Sequence, residues 1–151
     1  MPSPHNRPGA GTDHDGGPAG PLIQLRGLTK SYVTLDATII AADGVDLDIA
    51  AGTITALTGP SGSGKSTLLH LIGALDRPDA GTITVHGSVV TSLSGKELAQ
   101  YRRTVGFVFQ RFNLLPTLTV LDNVIVPVLP FKMGFDPKER ATELLTAVGL
   151  G

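Results

Sequence analysis

The chain has no cysteine among its 151 residues. That excludes disulfides and thiolate-ligated metals, and it fits a reducing cytosol. It also lacks an uninterrupted apolar run of the roughly 20 residues that a membrane-spanning helix needs. The first residues lack the apolar core of an export signal. These absences lead to the expectation of a soluble, unexported chain. The formal net charge is only −1, so there is no broad electrostatic footprint for nucleic acid. Hydrophobic residues make up 41%, a little below the usual globular share but enough for one domain with a core.

What is present is concentrated in nine residues, Gly59, Pro60, Ser61, Gly62, Ser63, Gly64, Lys65, Ser66 and Thr67. They contain the phosphate-loop pattern Gly-x-x-x-x-Gly-Lys-Ser. Glycines let the backbone approach a phosphate chain and adopt positive φ. The loop N–H groups then form a nest for anionic oxygens. Lys65 brings a mobile cation toward the β- and γ-phosphates, and the Ser66 hydroxyl suits one position on Mg²⁺. Thr67 is expected to close the first helical turn.

The context agrees with the pattern. Residues 53–58, β-branched and apolar, predict a buried strand before the loop. Leu68, Leu69, Leu71, Ile72 and Leu75 predict an amphipathic helix after it, with its N-terminus aimed at the phosphates. A Gly/Ser-rich linker matching by chance would not bring this strand–loop–helix frame.

Residues 1–21 are rich in Pro, Gly, Asp and His and read as a disordered tail. His5 and His14 lie there without a third ligand, too little for a metal site. Residues 22–28 predict a first strand with a bulge at Gly27. Tyr32, shortly after, suits an edge aromatic covering apolar surface or a flat platform for a purine ring, and geometry alone does not choose. Residues 38–42 and 45–49 predict two strands around an Asp43-Gly44 turn, the second alternating apolar and acidic. A turn at 76–81 leads to a strand over 82–86. His70 and His86 read as surface residues.

Ser94 with Glu97 predicts a capping box opening a short helix to Arg103. Residues 105–109 form a near-continuous apolar run, expected as a central strand, with Gln110 at its C-terminal end. Ligands gather at that edge in open α/β sheets. Thr119 predicts the cap of a helix to about Val126, with Val120, Leu121, Val124 and Ile125 as its apolar face. Asp136-Pro137 opens a last helix lined by Ala141, Leu144, Leu145 and Val148, with Gly149 as its C-terminal cap.

Taken together, the residues resemble the ATP-binding subunits of ABC transporters. The likeness is carried by the phosphate loop followed by Leu68-Leu69, by Tyr32 in the place of that family's adenine-stacking aromatic, and by Gln110. The run from Phe112 to Thr119 completes the family's glutamine loop. Asp76-x-Pro-x-x-Gly81, Leu93-Ser94 with Glu97-Leu98, and Arg102-Arg103 suit the lipoprotein-releasing and macrolide-export branch.

The resemblance implies an α/β fold, the N-terminal part of a P-loop NTPase of ABC type: an antiparallel β subdomain plus an incomplete RecA-like core. Residues 22–151 would form a partial nucleotide-binding domain. The family's Leu-Ser-Gly-Gly-Gln signature, its Walker B Asp-Glu pair and its switch histidine are not among these residues; Leu93-Ser94-Gly95 imitates the signature incompletely and precedes Gln110.

For function, the resemblance implies an ATPase subunit that binds Mg·ATP to power transport or release by a membrane partner. Tyr32 would stack adenine, Gly59 to Thr67 would bind the phosphates, and Lys65 and Gln110 would act in catalysis. Ser66 and Gln110 would hold Mg²⁺. Partners implied are a permease at the inner face of the cytoplasmic membrane, which would hold the chain there peripherally, and, in the complete protein, a second copy in a homodimer or a paired nucleotide-binding domain; the near-zero net charge adds no expectation of nucleic acid. In that family ATP lies between one subunit's phosphate loop and the other's signature, so this chain alone is expected to bind nucleotide weakly and hydrolyse little. A non-hydrolysing nucleotide-binding fragment and a remnant without function are the alternatives.

Overall fold

A computed structural model of the chain describes residues 20–151. The expected disordered tail lies outside the described residues, apart from Gly20 and Pro21. The described residues fall into two compact units, one ending at Gly106 and the other spanning Phe107–Gly151.

The first unit is built on an antiparallel sheet in the order β2-β1-β3-β4. Strand β1 (Ile23–Val33) pairs on one side with β2 (Thr38–Ile49) and on the other with β3 (Ala80–Val85), and β4 (Ser88–Val89) closes the edge. The turn between β3 and β4 places His86 at φ 48° and Gly87 at φ 74°, the paired positive values of a type I′ hairpin.

The Gly27 bulge is present: the β1–β2 register shifts between Leu25 and Leu28, and Gly27 N–H donates to Asp46 Oδ1 at 2.7 Å. Asp43-Gly44, expected as a turn between two strands, instead lies inside the single long strand β2, with Gly44 at φ 59°. Between the pairs Leu28–Val45 and Lys30–Ala42 the register shifts, β2 taking one more residue than β1, so Asp43-Gly44 is accommodated as a bulge in β2. From Val45 to Ile49 the alternation holds, with Val45, Leu47 and Ile49 half-buried and Asp46 and Asp48 exposed.

One face of the sheet carries the core. Leu25 and Leu28 of β1 and Ile83 of β3 meet Leu68 and Leu71 of helix α1 (Lys65–Ile72). Val90, in a 3₁₀ turn after β4, and Leu98 of helix α2 (Gly95–Arg102) complete it. Leu69 and Leu75, expected on the same stripe, are 48% and 45% exposed, because α1 ends at Gly73 and buries only the face of Leu68 and Leu71. Leu71 is 1% exposed. Leu71→Ala is therefore expected to cost about 2–5 kcal/mol by leaving a cavity; urea unfolding followed by circular dichroism measures it.

Helix α2 opens as expected, with the Glu97 carboxylate accepting from Ser94 N–H at 2.9 Å and from Ser94 Oγ–H at 2.6 Å. Its C-terminal turn braces α1. Tyr101 OH donates to Ile72 O at 2.7 Å and Arg102 Nε–H donates to Ala74 O at 2.8 Å. Carbonyls at the end of α1 thus gain partners, one of them cationic, which suits the negative end of the helix dipole.

Two expected strands are absent. Residues 53–58 and 105–109 carry no strand, and Ile54 and Val108 are 103% and 95% exposed. A strand exists only through a ladder with a neighbour. Among the described residues no strand lies beside either segment.

In the second unit, helix α3 (Val120–Ile125) starts at Thr119, whose Oγ1 accepts from Asp122 N–H at 3.1 Å. Leu121 and Ile125 are half-buried, whereas Val120 and Val124 are exposed. Helix α4 (Pro137–Ala147) starts at Asp136, which accepts from Lys138 N–H at 2.8 Å. Gly149 follows its end at φ 77°. Of the expected α4 stripe, Ala141 is buried and Leu145 half-buried, but Leu144 and Val148 point outward.

Candidate functional site

The glycine-rich loop lies between residue 58 and the first turn of α1, and the conformations match the composition. Gly62 sits at φ 81° and Gly64, the residue before α1, at φ 82°. Leu68 N–H donates to Gly64 O at 2.9 Å, the first bond of the helix. A Cβ on Gly64 would run into the carbonyl oxygen of Ala41 on β2. The loop can therefore lie this close to the sheet only with glycine at 64. The first turn of α1 contains no acidic residue, so nothing there offsets the positive end of its dipole.

Lys65 folds back across the loop. Its Nζ donates to Gly59 O at 2.9 Å, Pro60 O at 2.6 Å and Ser63 Oγ at 3.1 Å. Three bonds occupy the three protons of an ammonium. A phosphate arriving here would exchange for these loop acceptors. Ser66 is exposed in the first turn of α1, beside half-buried Thr67. A cavity of about 330 Å³ adjoins the loop, lined among others by Ala42, Val45, Leu57 and Leu68.

Tyr32 lies near the end of β1, 37% exposed. It pairs with Ile39 on β2, two residues from the Ala41 that abuts Gly64. With about 4.8 Å between strands and 3.4 Å per residue, the Tyr32 backbone is on the order of 10 Å from the loop. Its ring is held from two directions. The hydroxyl donates to Asp76 Oδ2 at 2.9 Å, and Lys30 Nζ lies over the ring, 5.1 Å from its centroid.

These partners belong to a wider cluster. Lys30 Nζ is 3.2 Å from Asp76 Oδ1 and 3.7 Å from Asp79 Oδ1, and it donates to Arg77 O at 2.8 Å. Asp79 Oδ2 accepts from Ser31 N–H at 2.6 Å and Ser31 Oγ–H at 2.8 Å. Lys30, Asp76 and Asp79 had no assigned role in the sequence; only the Asp76-x-Pro-x-x-Gly81 turn signal touched the region.

The Ser31 hydroxyl and N–H hold the Asp79 carboxyl below its ordinary range. Burial pushes Asp76 upward, but the Arg77 N–H, the Tyr32 hydroxyl and Lys30 together outweigh it and leave that carboxyl low as well. A carboxyl depressed in the folded state contributes stability that is complete above its unfolded pKa, about 3.9, and is lost as pH falls through the folded value. The melting temperature is thus expected to drop as pH falls below about 4. Asp79→Asn should flatten that drop. It should not abolish it, since Asp48 and Glu97 are also held low, by Arg26 and by Ser94 respectively. Thermal melts at pH 7 and pH 3 are the check.

Gln110 belongs to the second unit and is an exposed bend residue. It does not end a strand, since none forms at 105–109. Further along, Asn123 organises the loop before α3. Its Oδ1 accepts from Leu115 N–H at 2.8 Å, and its Nδ2 donates to Thr119 O at 2.9 Å and Leu115 O at 3.2 Å. Sequence reading missed Asn123, which carries no motif of its own. Phe112 and Leu114 stay 86% and 62% exposed.

The antiparallel sheet, with a glycine-rich loop feeding the N-terminus of α1, is the N-terminal part of the P-loop NTPase fold. Residues 42–151 match the ABC transporter family, and the chain belongs to it. It is 45% identical over 133 residues to the lipoprotein-releasing system ATP-binding protein LolD of Bacteroides thetaiotaomicron, across 85% of this chain and 58% of that protein. It is 43% identical over 134 residues to the macrolide export ATP-binding/permease protein MacB of Rhodopseudomonas palustris, across 87% of this chain and 20% of that protein. A solved ATP-binding cassette in a dimeric post-hydrolysis state, bound to ADP and Pi, superposes with a TM-score of 0.76 at 38% identity, covering 85% of this chain and 58% of that one. The chain thus spans little more than half the length of the LolD proteins it matches. No helix among the described residues is long and apolar enough to cross a membrane.

Proposed function

We propose that this chain supplies the adenine- and phosphate-binding half of a transporter ATPase site. Tyr32 stacks on the base, and the loop from Gly59 to Thr67 receives the phosphates. Lys65 leaves its loop acceptors for the β- and γ-oxygens. The observation that carries this reading is the loop itself. Gly64 is pressed against β2, α1 presents its N-terminus there, and a lysine whose protons are all held by exchangeable acceptors lies across the opening.

The donor set fits Mg²⁺ as well as phosphate. Among the described residues no group of three or more His, Cys, Asp or Glu side chains is placed to hold a metal. Mg²⁺ in a nucleotide site needs few protein ligands, since phosphate oxygens and water supply the rest. Ser66, exposed in the first turn of α1, is the residue proposed to hold it. When bound, the ion would supply positive charge that offsets that of the phosphates. The protein's own part is positioning: the nest and helix dipole fix the phosphates, and Tyr32 fixes the base.

The partners follow from the same reading. A membrane permease at the inner face of the cytoplasmic membrane is proposed to dock on the apolar surface of Phe112, Leu114, Leu115 and Leu118. A second nucleotide-binding domain is proposed to close the site, as the dimeric cassette among its structural neighbours suggests. The test is calorimetric titration of the chain with Mg·ATP, with phosphate release assayed in parallel. Binding with little or no release is the expected result for these 151 residues, which contain neither a Walker B Asp-Glu pair nor a complete signature. Absence of binding would overturn the proposal.

A further inference from the structure

We infer that Asp76 is a positioning residue for the base: it fixes the Tyr32 ring so that one face is closed by Lys30 and the other is left for a purine. The assignment rests on the proposed role of Tyr32 as the base platform and specifies how that platform is held.

Three observations carry it. First, Tyr32 lies beyond the last β1–β3 pair, Thr29 with Ala80, so among the described residues no strand packs beside it on that side to set its rotamer. Second, the two oxygens of Asp76 divide their partners. Oδ1 accepts from Arg77 N–H at 2.7 Å and lies 3.2 Å from Lys30 Nζ, while Oδ2 accepts the Tyr32 hydroxyl at 2.9 Å. The backbone contact and the cation hold the carboxylate still, and the carboxylate then holds the phenol. Third, Lys30 is nearly covered, its side chain 12% exposed, and its ammonium lies over the ring. A cation on one π-face is itself a favourable contact, and it leaves only the opposite face for a stacked base.

The position of Asp76 gives this hydrogen bond a second consequence. The residue follows α1 by four positions, and α1 begins at Lys65. Tyr32 is therefore tied both to β1, through the backbone, and to the segment running out of the phosphate-loop helix, through Asp76. Ring and loop are held at a fixed separation, which pre-organises a ligand carrying both a base and a phosphate chain.

The experiment titrates the chain with Mg·ATP and, separately, with magnesium tripolyphosphate, which has no base. Tyr32→Phe keeps the ring and removes only the hydroxyl. It is expected to weaken ATP binding about two- to tenfold, the worth of one hydrogen bond, and to leave tripolyphosphate unchanged. Asp76→Ala should weaken ATP to a similar degree. The double variant Tyr32→Phe/Asp76→Ala should be no weaker than Asp76→Ala alone, because both remove one interaction.

Tyr32→Ala separates the proposal from the reading beneath it. If Tyr32→Ala weakens ATP by roughly five- to 150-fold, the range expected for a lost stack, while Tyr32→Phe and Asp76→Ala bind like the parent chain, the platform stands and the positioning role of Asp76 falls. If Tyr32→Ala itself binds ATP unchanged, the platform reading falls first. Equal loss of ATP and tripolyphosphate in Asp76→Ala would make its role structural and overturn the inference.

Discussion

Lys65→Ala is expected to abolish measurable Mg·ATP binding, a loss on the order of 10²-fold or more. Charge-assisted hydrogen bonds are worth about 1.5–3 kcal/mol each, and a lysine bridging β- and γ-oxygens makes two or more of them. Each 1.4 kcal/mol is about tenfold in affinity. The ligand-free geometry lowers this figure somewhat, because Nζ must first release Gly59 O, Pro60 O and Ser63 Oγ. The exchange nevertheless favours phosphate, since neutral acceptors give way to anionic ones. Calorimetry on the parent and the variant decides the matter, and a variant that binds as the parent does would remove the phosphate-loop assignment. Arginine is not a neutral control here, because its planar fork differs from a compact ammonium.

Gly64→Ala should do comparable damage by a different route. At φ 82° an alanine is strained, a cost of about 1–3 kcal/mol. Its Cβ would also meet the Ala41 carbonyl, so loop and strand would have to separate. The combined expectation is a stability loss of roughly 2–4 kcal/mol with nucleotide binding lost as well. Gly62→Ala is the informative companion. Gly62 has almost the same φ, 81°, but nothing lies within 4 Å of its would-be Cβ. It should show only the strain, about 1 kcal/mol or a little more. The gap between the two variants in urea unfolding measures the close approach of loop to sheet; equal effects would mean that the approach contributes nothing.

The features legible in the sequence are those decided within a few residues. The caps at Ser94, Thr119 and Asp136 and the helix stop at Gly149 all depend on side-chain or backbone bonds spanning a single turn, and each forms where the residue types place it. The phosphate-loop glycines were legible for the same reason. Residues 53–58 and 105–109 were misread because a strand is a relation between segments: β-propensity marks a segment that fits a sheet and does not supply its neighbour. Asp43-Gly44 was misread because a two-residue turn signal and a bulge in a long strand use the same residues. The cluster around Tyr32 was beyond reach, since Lys30 and Tyr32 meet Asp76 across more than forty positions of chain. The even choice over Tyr32 reflected that gap: its ring is held by residues that no local pattern links to it.

The pairing of β1 with β3 also bears on how the first unit assembles. The stretch from Thr29 to Ala80, with β2, the glycine-rich loop and α1 inside it, is the chain loop that this pairing closes. The β1–β2 hairpin can form early because its contacts are near in sequence, whereas β1–β3 must first overcome the entropy of closing the long loop. Leu68 and Leu71 share the core with Leu25 of β1 and Ile83 of β3, and the Ile83 part of it exists only once β3 has arrived. Completion of the core behind the phosphate loop is therefore expected to wait on a distant strand pairing. Slowing that closure would delay the appearance of the loop without touching any of its nine residues.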